Sequence, residues 1–242
     1  MAHTAMTRQP IKMAKELLPY TPEYQMSYEK ARFNMIEQQV RPWNVLRADV
    51  LESLDQVPRE AFTPAHLQAL AFSDTDIPLG ANGACMMSPK VEARLVHDLE
   101  LTGTEAVLEI GTGSGYSAAL LARHAAQVVT IEIDAGLAET ARNNLRNCPN
   151  VTVVVGDGAQ SSTAAPYGPF DAIVLSGSVG VLPENLIGLL KPQGRLLAIC
   201  GNEPIMHALL VQQDGAQNSR KEIWDANAPR LQNFAEQAAF VF

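Results

Sequence analysis

The sequence predicts an α/β protein whose sheet is mostly parallel and flanked by helices. The apolar run that begins at Val107 ends in glycines at alternate positions, and a helical pattern follows from about Tyr116. A second apolar run, Gln127–Asp134, comes at the spacing of a strand–helix–strand unit, which joins parallel strands. Two later runs, 150–158 and 170–177, continue the alternation.

The first part of the chain predicts a helical cap on this sheet. Residues 1–27 are expected to form a flexible leader, since they begin with small and polar residues without periodicity. Apolar residues recur at roughly helical spacing over Tyr28–Val40, and Asp49–Gln56 is a second short helix. The prolines of Val57–Pro64 indicate an extended or turning connection. We therefore expect a cap with a loop over residues 28–101 and an α/β domain over 102–242, which together form one structural unit.

A loop rich in glycine and proline, Phe72–Pro89, precedes a helix predicted over Lys90–Leu101. Ser88 is well placed as the N-cap of this helix, because Pro89 would take the first helical position and Glu92 would lie in the first turn. Within the loop, the dipeptide Asn82-Gly83 predicts a turn.

Gly111, Gly113 and Gly115 predict a ligand site at the turn between strand and helix. A ligand packed against the backbone needs positions without a β carbon and with free φ. The following helix would direct its unpaired N–H groups and positive dipole end at the turn. Glu132 stands 21 positions after Gly111, at the end of the second strand, where a carboxylate can accept hydrogen bonds from both hydroxyls of a ribose. Glycines that only make a tight turn remain the alternative at this point.

The glycine spacing distinguishes two classes of ligand. The dinucleotide fingerprint G-x-G-x-x-G, counted from Gly111, requires a glycine where this chain has Tyr116. An oxidoreductase that uses NAD or NADP is therefore a distant alternative. The pattern Glu109-x-Gly111-x-Gly113-x-Gly115 instead resembles motif I of the class I S-adenosylmethionine-dependent methyltransferases. This resemblance implies a Rossmann-like fold with a seven-stranded, mostly parallel sheet and helices on both faces.

Later segments agree with the methyltransferase resemblance. It implies that Asp157 accepts a hydrogen bond from the adenine amine of the donor and that Ser176 borders the site of methyl transfer. Leu189–Cys200 predicts a helix end, a turn with proline and glycine, and a strand. An antiparallel hairpin is predicted from Met206–Gln212 and Arg220–Trp224, and a short strand from Ala239–Phe242.

Composition narrows the class of protein. The 242 residues are 47% apolar and 18% charged, which suits one globular domain with an appended segment. No apolar run is long enough for a membrane span and no signal peptide is apparent, so a soluble cytoplasmic protein is expected. Cys85, Cys148 and Cys200 lack disulfide or metal-ligand spacing, and no metal is expected. A net charge of −8 without a basic cluster argues against nucleic acid as a partner.

Over residues 32 to 200, approximately, the chain resembles the protein-L-isoaspartate O-methyltransferase family. The resemblance rests on Val57-Pro-Arg-x-x-Phe-x-Pro64, on Phe72-x-Asp74-x-x-Ile-Pro-Leu-Gly80, on the loop that ends at Pro89, and on motif I. The family methylates isoaspartyl carboxylates, and the resemblance implies that a Thr and a Ser of the loop lie beside acceptor and donor. This chain has Cys85 and Met87 at those places and one extra residue between Gly80 and Pro89.

The expected site follows from both resemblances. Cys85 and Ser88 are the candidate catalytic residues, Ser88 only if the extra residue shifts the loop by one position. The residues expected to bind S-adenosyl-L-methionine are Glu109, Gly111, Thr112, Gly113, Gly115, Glu132, Ile133, Asp157, Gly158 and Ser176. The expected partner is an isoaspartyl-containing protein or peptide, with no nucleic acid and no membrane. Because the loop departs from the family, a methyltransferase for another small acceptor and a non-catalytic relative that binds the donor stay open.

Overall fold

A computed structural model describes residues 22–80, 82–215 and 217–236 of the chain. The cap contains helix α1 (Pro22–Met35), a π-helical turn (Ile36–Val40) and helix α2 (Ala48–Gln56). The first helix therefore begins six positions before the predicted start at Tyr28, because the fixed φ of Pro22 suits a first helical position. Residues 22–27 of the predicted leader are thus helical, and residues 1–21 lie outside the described part of the chain.

The loop between the cap and the next helix contains a short antiparallel hairpin, β1 (Ile77–Pro78) with β2 (Cys85–Met86), which the sequence did not predict. Helix α3 (Pro89–Asp98) follows and ends three residues before the predicted Leu101. Ser88 occupies the N-cap position, Pro89 is the first helical residue and Glu92 lies in the first turn, as predicted, although the Ser88 side chain makes no capping hydrogen bond. The carbonyl of Ser88 accepts the amides of Val91 and Glu92, which are the first hydrogen bonds of the helix.

Strands and helices then alternate, as predicted. The elements are β3 (Ala106–Ile110), α4 (Tyr116–His124), β4 (Gln127–Glu132), α5 (Ala135–Asn144), β5 (Val151–Val155), α6 (Ser161–Ala164), β6 (Phe170–Val179), α7 (Glu184–Ile187), β7 (Leu190–Asn202), β8 (Ile205–Asp214) and β9 (Gln217–Asp225). They form a seven-stranded sheet of order β5-β4-β3-β6-β7-β8-β9. The first five strands in this order are parallel, and β8 and β9 are antiparallel.

This topology confirms the predicted fold class, including the hairpin of β8 and β9. The predicted strand over Ala239–Phe242 lies outside the described residues. Because β3 and β6 are neighbours at the point where the strand order reverses, their carboxyl ends border a crevice of the kind that holds ligands in α/β sheets.

Apolar residues alternate along the parallel strands and form a core on each face of the sheet. Val107 and Val128 belong to the core that also includes the cap and α4, whereas Leu108 and Val129 belong to the opposite core with α7. The cap therefore packs directly on one face of the sheet. Glu109 shares the face of Val107, since side chains of a strand alternate with period two.

Among the described residues, no helix is long and apolar enough to cross a membrane. Cys85, Cys148 and Cys200 carry free thiols. The described part of the chain also contains no group of three or more His, Cys, Asp or Glu side chains that would suit a metal ion.

Candidate active site

A groove lies at the carboxyl ends of β3, β4, β5 and β6. Counting the space open to solvent, its volume is about 630 Å³. The residues that line it are Asn82, Ala84, Cys85, Ile110, Gly111, Gly113, Ile131, Glu132, Ile133, Asp157, Gly158, Ser176, Pro229, Arg230, Leu231, Gln232 and Phe234. Most of the residues predicted to bind the donor are thus brought together.

Two further spaces adjoin this groove. The inner pocket shares Cys85, Gly111, Gly113 and Ser176 with the groove and continues to Met87 and α4. The side cleft is lined by Asp76, by residues 202, 203 and 206, and by residues 227–230. Pro229 and Arg230 belong to both the groove and the side cleft, so these two spaces meet at the same segment.

The glycine turn has the backbone geometry that the sequence predicted. Gly111, Gly113 and Gly115 have φ angles of +93°, +53° and +89°, which L side chains rarely adopt. At Gly111, a β carbon would also lie 2.7 Å from Leu231 Cδ2 and 3.3 Å from the carbonyl oxygen of Ser176. Gly115 differs from the other two, because it packs against Leu145 and does not line the groove.

Glu132 is fixed at the end of β4 with its carboxylate at the groove. Its side chain is 6% exposed. Its Oε2 accepts a hydrogen bond from the Gly113 amide at 2.8 Å, and its Oε1 accepts one from the Asp134 amide at 3.0 Å. A carboxylate oxygen can accept two hydrogen bonds, so each oxygen retains an acceptor site for a pair of ligand hydroxyls.

Asp157 and Gly158 follow β5 and line the groove on another side. Asp157 Oδ1 accepts the Ala159 amide at 3.0 Å, which fixes the carboxylate in a turn. Its Oδ2 accepts a hydrogen bond from Asn233 Nδ2 at 3.1 Å. At Gly158, a β carbon would clash with the side chain of Ile110, so only glycine fits there.

Glu109 was predicted to bind the donor directly, but its side chain does not line the groove. It is completely buried behind the glycine turn, because strand alternation directs it toward Thr130 of β4 and Ser176 of β6. Thr130 Oγ1 donates to Glu109 Oε2 at 2.7 Å, and Ser176 Oγ donates to Oε1 at 2.6 Å. Thr112, another predicted ligand, faces the same layer, with its hydroxyl 2.6 Å from that of Thr130.

Burial raises the pKa of Glu109 to about 7, against the opposing effect of the hydrogen bonds from Ser176 and Thr130. The nearby charge of Glu132 raises it further. Glu109 is therefore a buried acid that is near the midpoint of its titration at neutral pH. It orients Ser176, and Ser176 lines both the groove and the inner pocket.

Of the two candidate catalytic residues, only Cys85 lies at the groove. Burial, followed by the charge of Asp76, raises the pKa of the Cys85 thiol, which favours the neutral form. Ser88 lines neither the groove nor the inner pocket, and its amide donates to Asp76 Oδ1 at 2.8 Å. The extra loop residue therefore does not bring the Ser88 hydroxyl to the groove. Met87 is 2% exposed and lines the inner pocket.

Arg59 fixes this loop, a role that the sequence did not reveal. The side chain is fully buried, and it donates to the carbonyl oxygens of Ala71 at 2.8 Å and Met87 at 2.6 Å. It also forms an ion pair with the buried Glu92 of α3. The only sequence signal was its place in the Val-Pro-Arg motif. Burial lowers the pKa of Arg59 to about 10, so the guanidinium remains charged at neutral pH.

The segment after β9, residues 226–236, folds back over the end of β6 and closes one side of the groove. The Ser178 amide donates to the Pro229 carbonyl at 2.7 Å, and the Leu231 amide donates to the Ser178 carbonyl at 2.8 Å. Ser178 Oγ donates to the Ala228 carbonyl at 2.8 Å. No periodicity in the sequence predicted this wall.

Comparison with known proteins identifies relatives along most of the chain. The model of the family "Protein-L-isoaspartate(D-aspartate) O-methyltransferase" matches residues 30–226. The chain is 37% identical to a protein-L-isoaspartate O-methyltransferase from Pelotomaculum thermopropionicum, over 78% of this chain and 83% of the relative. It is 38% identical to one from Methanoculleus marisnigri, over 77% of this chain and 84% of the relative.

A solved structure shares the fold. It is a crystal structure from Plasmodium falciparum, described as a protein-L-isoaspartate O-methyltransferase in complex with S-adenosyl-L-homocysteine. The TM-score is 0.69 with 18% identity, and the match covers 85% of this chain and 98% of the other. At this identity, the likeness supports the fold alone.

Proposed function

The chain belongs to the protein-L-isoaspartate O-methyltransferase family, and we propose from this premise that it methylates the free carboxylate of isoaspartyl residues, with S-adenosylmethionine as donor. The observation that carries the proposal is the groove beside the glycine turn, in which the Glu132 carboxylate is held at the end of β4. Nucleoside ligands bind α/β sheets at such a place. A damaged protein or peptide is the partner that this activity requires.

The residues of the groove fit the donor. Glu132 would bind the ribose, since its two oxygens each retain an acceptor site. Gly111 and Gly113 would allow the donor to approach the backbone, because neither has a β carbon. Asp157 and Gly158 would bind the adenine, since each oxygen of the Asp157 carboxylate accepts one hydrogen bond and retains an acceptor site.

Methyl transfer to a carboxylate requires little of the protein beyond orienting the donor and the acceptor. When bound, S-adenosylmethionine supplies a methyl group on a positively charged sulfur; the acceptor oxygen bonds to that carbon as the carbon–sulfur bond breaks, and the sulfur keeps the electron pair. No proton moves, because the acceptor carboxylate is already ionised at neutral pH. In agreement, the described residues that line the groove include no histidine or lysine that would act as a base. Positioning then supplies most of the rate enhancement.

The activity is tested by transfer of labelled methyl from S-adenosylmethionine to an isoaspartyl peptide, with the aspartyl peptide of the same sequence as control. We expect transfer to the isoaspartyl form alone, because only that form presents a free carboxylate on the main-chain side. Donor affinity is measured by calorimetry on the same sample. Donor binding without transfer to several isoaspartyl peptides would contradict the proposed acceptor and favour another small molecule or a binding role. Failure to bind the donor would contradict the whole proposal.

Replacement of Glu132 by alanine should weaken donor binding by about 1–3 kcal/mol, which is roughly 5- to 150-fold in Kd. The loss arises because two hydrogen bonds to a charged group disappear. Titration calorimetry measures it, and Glu139→Ala is the matched control, since that exposed glutamate lies on α5 and does not line the groove. Equal donor affinities of Glu132→Ala and Glu139→Ala would refute the assignment of Glu132.

This activity implies a role in protein repair, which we propose together with a cytoplasmic location. The negative net charge of the protein favours a peptide over a nucleic acid as its partner. The net charge of −8 disfavours the phosphate backbone, and among the described residues that line the groove Arg230 is the only basic side chain.

A further inference from the structure

The two loop positions at which the family resemblance places hydroxyls offer little to an acceptor carboxylate. Cys85 lies at the groove with a weak donor, and the thioether of Met87 cannot donate at all. Ser88 does not line the groove or the inner pocket. If the proposed function is right, and the following inference rests on it, another part of the chain must orient the acceptor.

Arg230 is the side chain placed to do so. It lines both the groove and the side cleft, and it is the only lysine or arginine among the described residues that line the groove, the inner pocket or the side cleft. Its backbone lies beside Ser178 at the end of β6, and the next residue, Leu231, contacts the glycine turn. Arg230 therefore belongs to the wall that separates the groove from the side cleft, and its guanidinium meets Asn202 of the side cleft.

The guanidinium is held in place and retains donor capacity. Its Nη2 donates to the Gly201 carbonyl at 3.0 Å and to Asn202 Oδ1 at 2.6 Å. Its Nη1 is buried and has no hydrogen-bond partner among the described residues. A buried donor without a partner costs free energy, which an acceptor recovers once the surrounding residues move aside and let it reach Nη1. Another edge of the guanidinium already meets a carboxylate, since Arg230 Nε lies 3.3 Å from Glu236 Oε1.

The charges around these spaces make a cation necessary for an anionic acceptor. Glu132 and Asp157 line the groove, and Asp76 and Glu203 line the side cleft. A carboxylate that enters among four acids meets repulsion, which a guanidinium offsets through two parallel hydrogen bonds. A hydrogen-bonded guanidinium also limits the rotation of the carboxylate, as orientation for methyl transfer requires.

We propose that Arg230 binds the free carboxylate of the isoaspartyl acceptor and that the side cleft receives the adjoining peptide. In the ligand-free chain, the carboxylate of Glu236 competes for the same guanidinium. The acceptor displaces Glu236 and presents one oxygen toward the inner end of the groove. Arg230 thus determines specificity for an anionic acceptor.

The test compares two peptides as ligands of the protein saturated with S-adenosylhomocysteine. One is the isoaspartyl peptide, and the other carries a carboxamide in place of the free carboxylate. We expect the native protein to bind the carboxylate peptide at least tenfold more tightly than the carboxamide, and Arg230→Gln to bind the two within about twofold. Arg230→Lys should keep part of the preference, since the charge remains but the planar pair of donors is lost.

Two further variants separate recognition from structure. Asn202→Ala removes a partner of Arg230 and leaves the guanidinium, so the preference for carboxylate should persist. Glu236→Gln removes the competing charge, so KM for the isoaspartyl peptide should fall at least twofold while donor affinity stays within twofold. The second variant keeps the inference testable even if Arg230→Gln disturbs the wall.

The outcomes distinguish this inference from the proposed function. An undiminished preference for carboxylate in Arg230→Gln, or a KM that does not fall in Glu236→Gln, overturns the role of Arg230 while methyl transfer by the native protein still supports the function. Absence of transfer to every isoaspartyl peptide by a native protein that binds the donor overturns the proposed function, and the assignment of Arg230 with it.

Discussion

Replacement of Arg59 by methionine is expected to lower the free energy of unfolding by about 3–5 kcal/mol. The substitution leaves the carboxylate of Glu92 buried without its ion-pair partner, and it leaves the carbonyl oxygens of Ala71 and Met87 without their donor. An unpaired buried charge is the costliest single defect that this core can acquire. Because Arg59 joins the loop to α3, the inner pocket should also lose its shape.

Chemical denaturation of the single and double variants measures this effect. Glu92→Met combined with Arg59→Met should recover much of the loss, since the double replacement removes both buried charges. The control is Arg142→Met, which breaks the surface pair of Arg142 with Glu139 and should cost less than about 1 kcal/mol. If Arg59→Met is no more costly than Arg142→Met, the loop does not depend on the buried pair.

Replacement of Glu109 by glutamine should stabilise the protein above pH 7 by up to about 3 kcal/mol. The folded-state pKa of Glu109 is raised from 4.5 to about 7, chiefly by burial. Between these two values the folded protein holds a proton that the unfolded chain has released, so the stability of the native protein falls as pH rises through this window. The penalty is nearly complete about one unit above pH 7, and glutamine avoids it because it carries no charge.

The free energy of unfolding, measured at pH 5 and pH 8, checks the sign of this effect. For Glu109→Gln it should change less between the two pH values than for the native protein. Glu105→Gln is a matched control with the opposite sign: burial raises the pKa of Glu105, but hydrogen bonds from Thr102 and from the amides of Glu105 and Thr104 together outweigh burial and lower it overall. Loss of that carboxylate should therefore destabilise the protein at pH 8. A pH dependence that is the same in Glu109→Gln and the native protein would show that Glu109 stays ionised when folded.

The parts of the site that the sequence predicted are those that local rules determine. Glycines at 111, 113 and 115 indicated positive φ without knowledge of any neighbour, because other residues avoid that region. The βαβ spacing placed Glu132 at the end of its strand, and the structure brings it to the groove with Asp157. Their contact with a donor stays a prediction.

The parts that the sequence did not predict depend on contacts between distant segments. Glu109 ends a strand as expected, but Thr130 and Ser176 of two other strands decide that it faces the interior. Arg59 meets Glu92, which follows it by 33 positions, and no local pattern pairs them. Residues 226–236 have neither strand nor helix periodicity, and contacts with β6, β7 and β8 give them an ordered path.

The contact of Leu231 with Gly111 joins positions that are 120 residues apart in the chain. During synthesis, the strands that surround the glycine turn emerge from the ribosome and can pair long before Leu231 is added. Contacts with such sequence separation form late, because closing a long loop costs entropy first. The nascent protein therefore builds its sheet with an open crevice and completes the groove last.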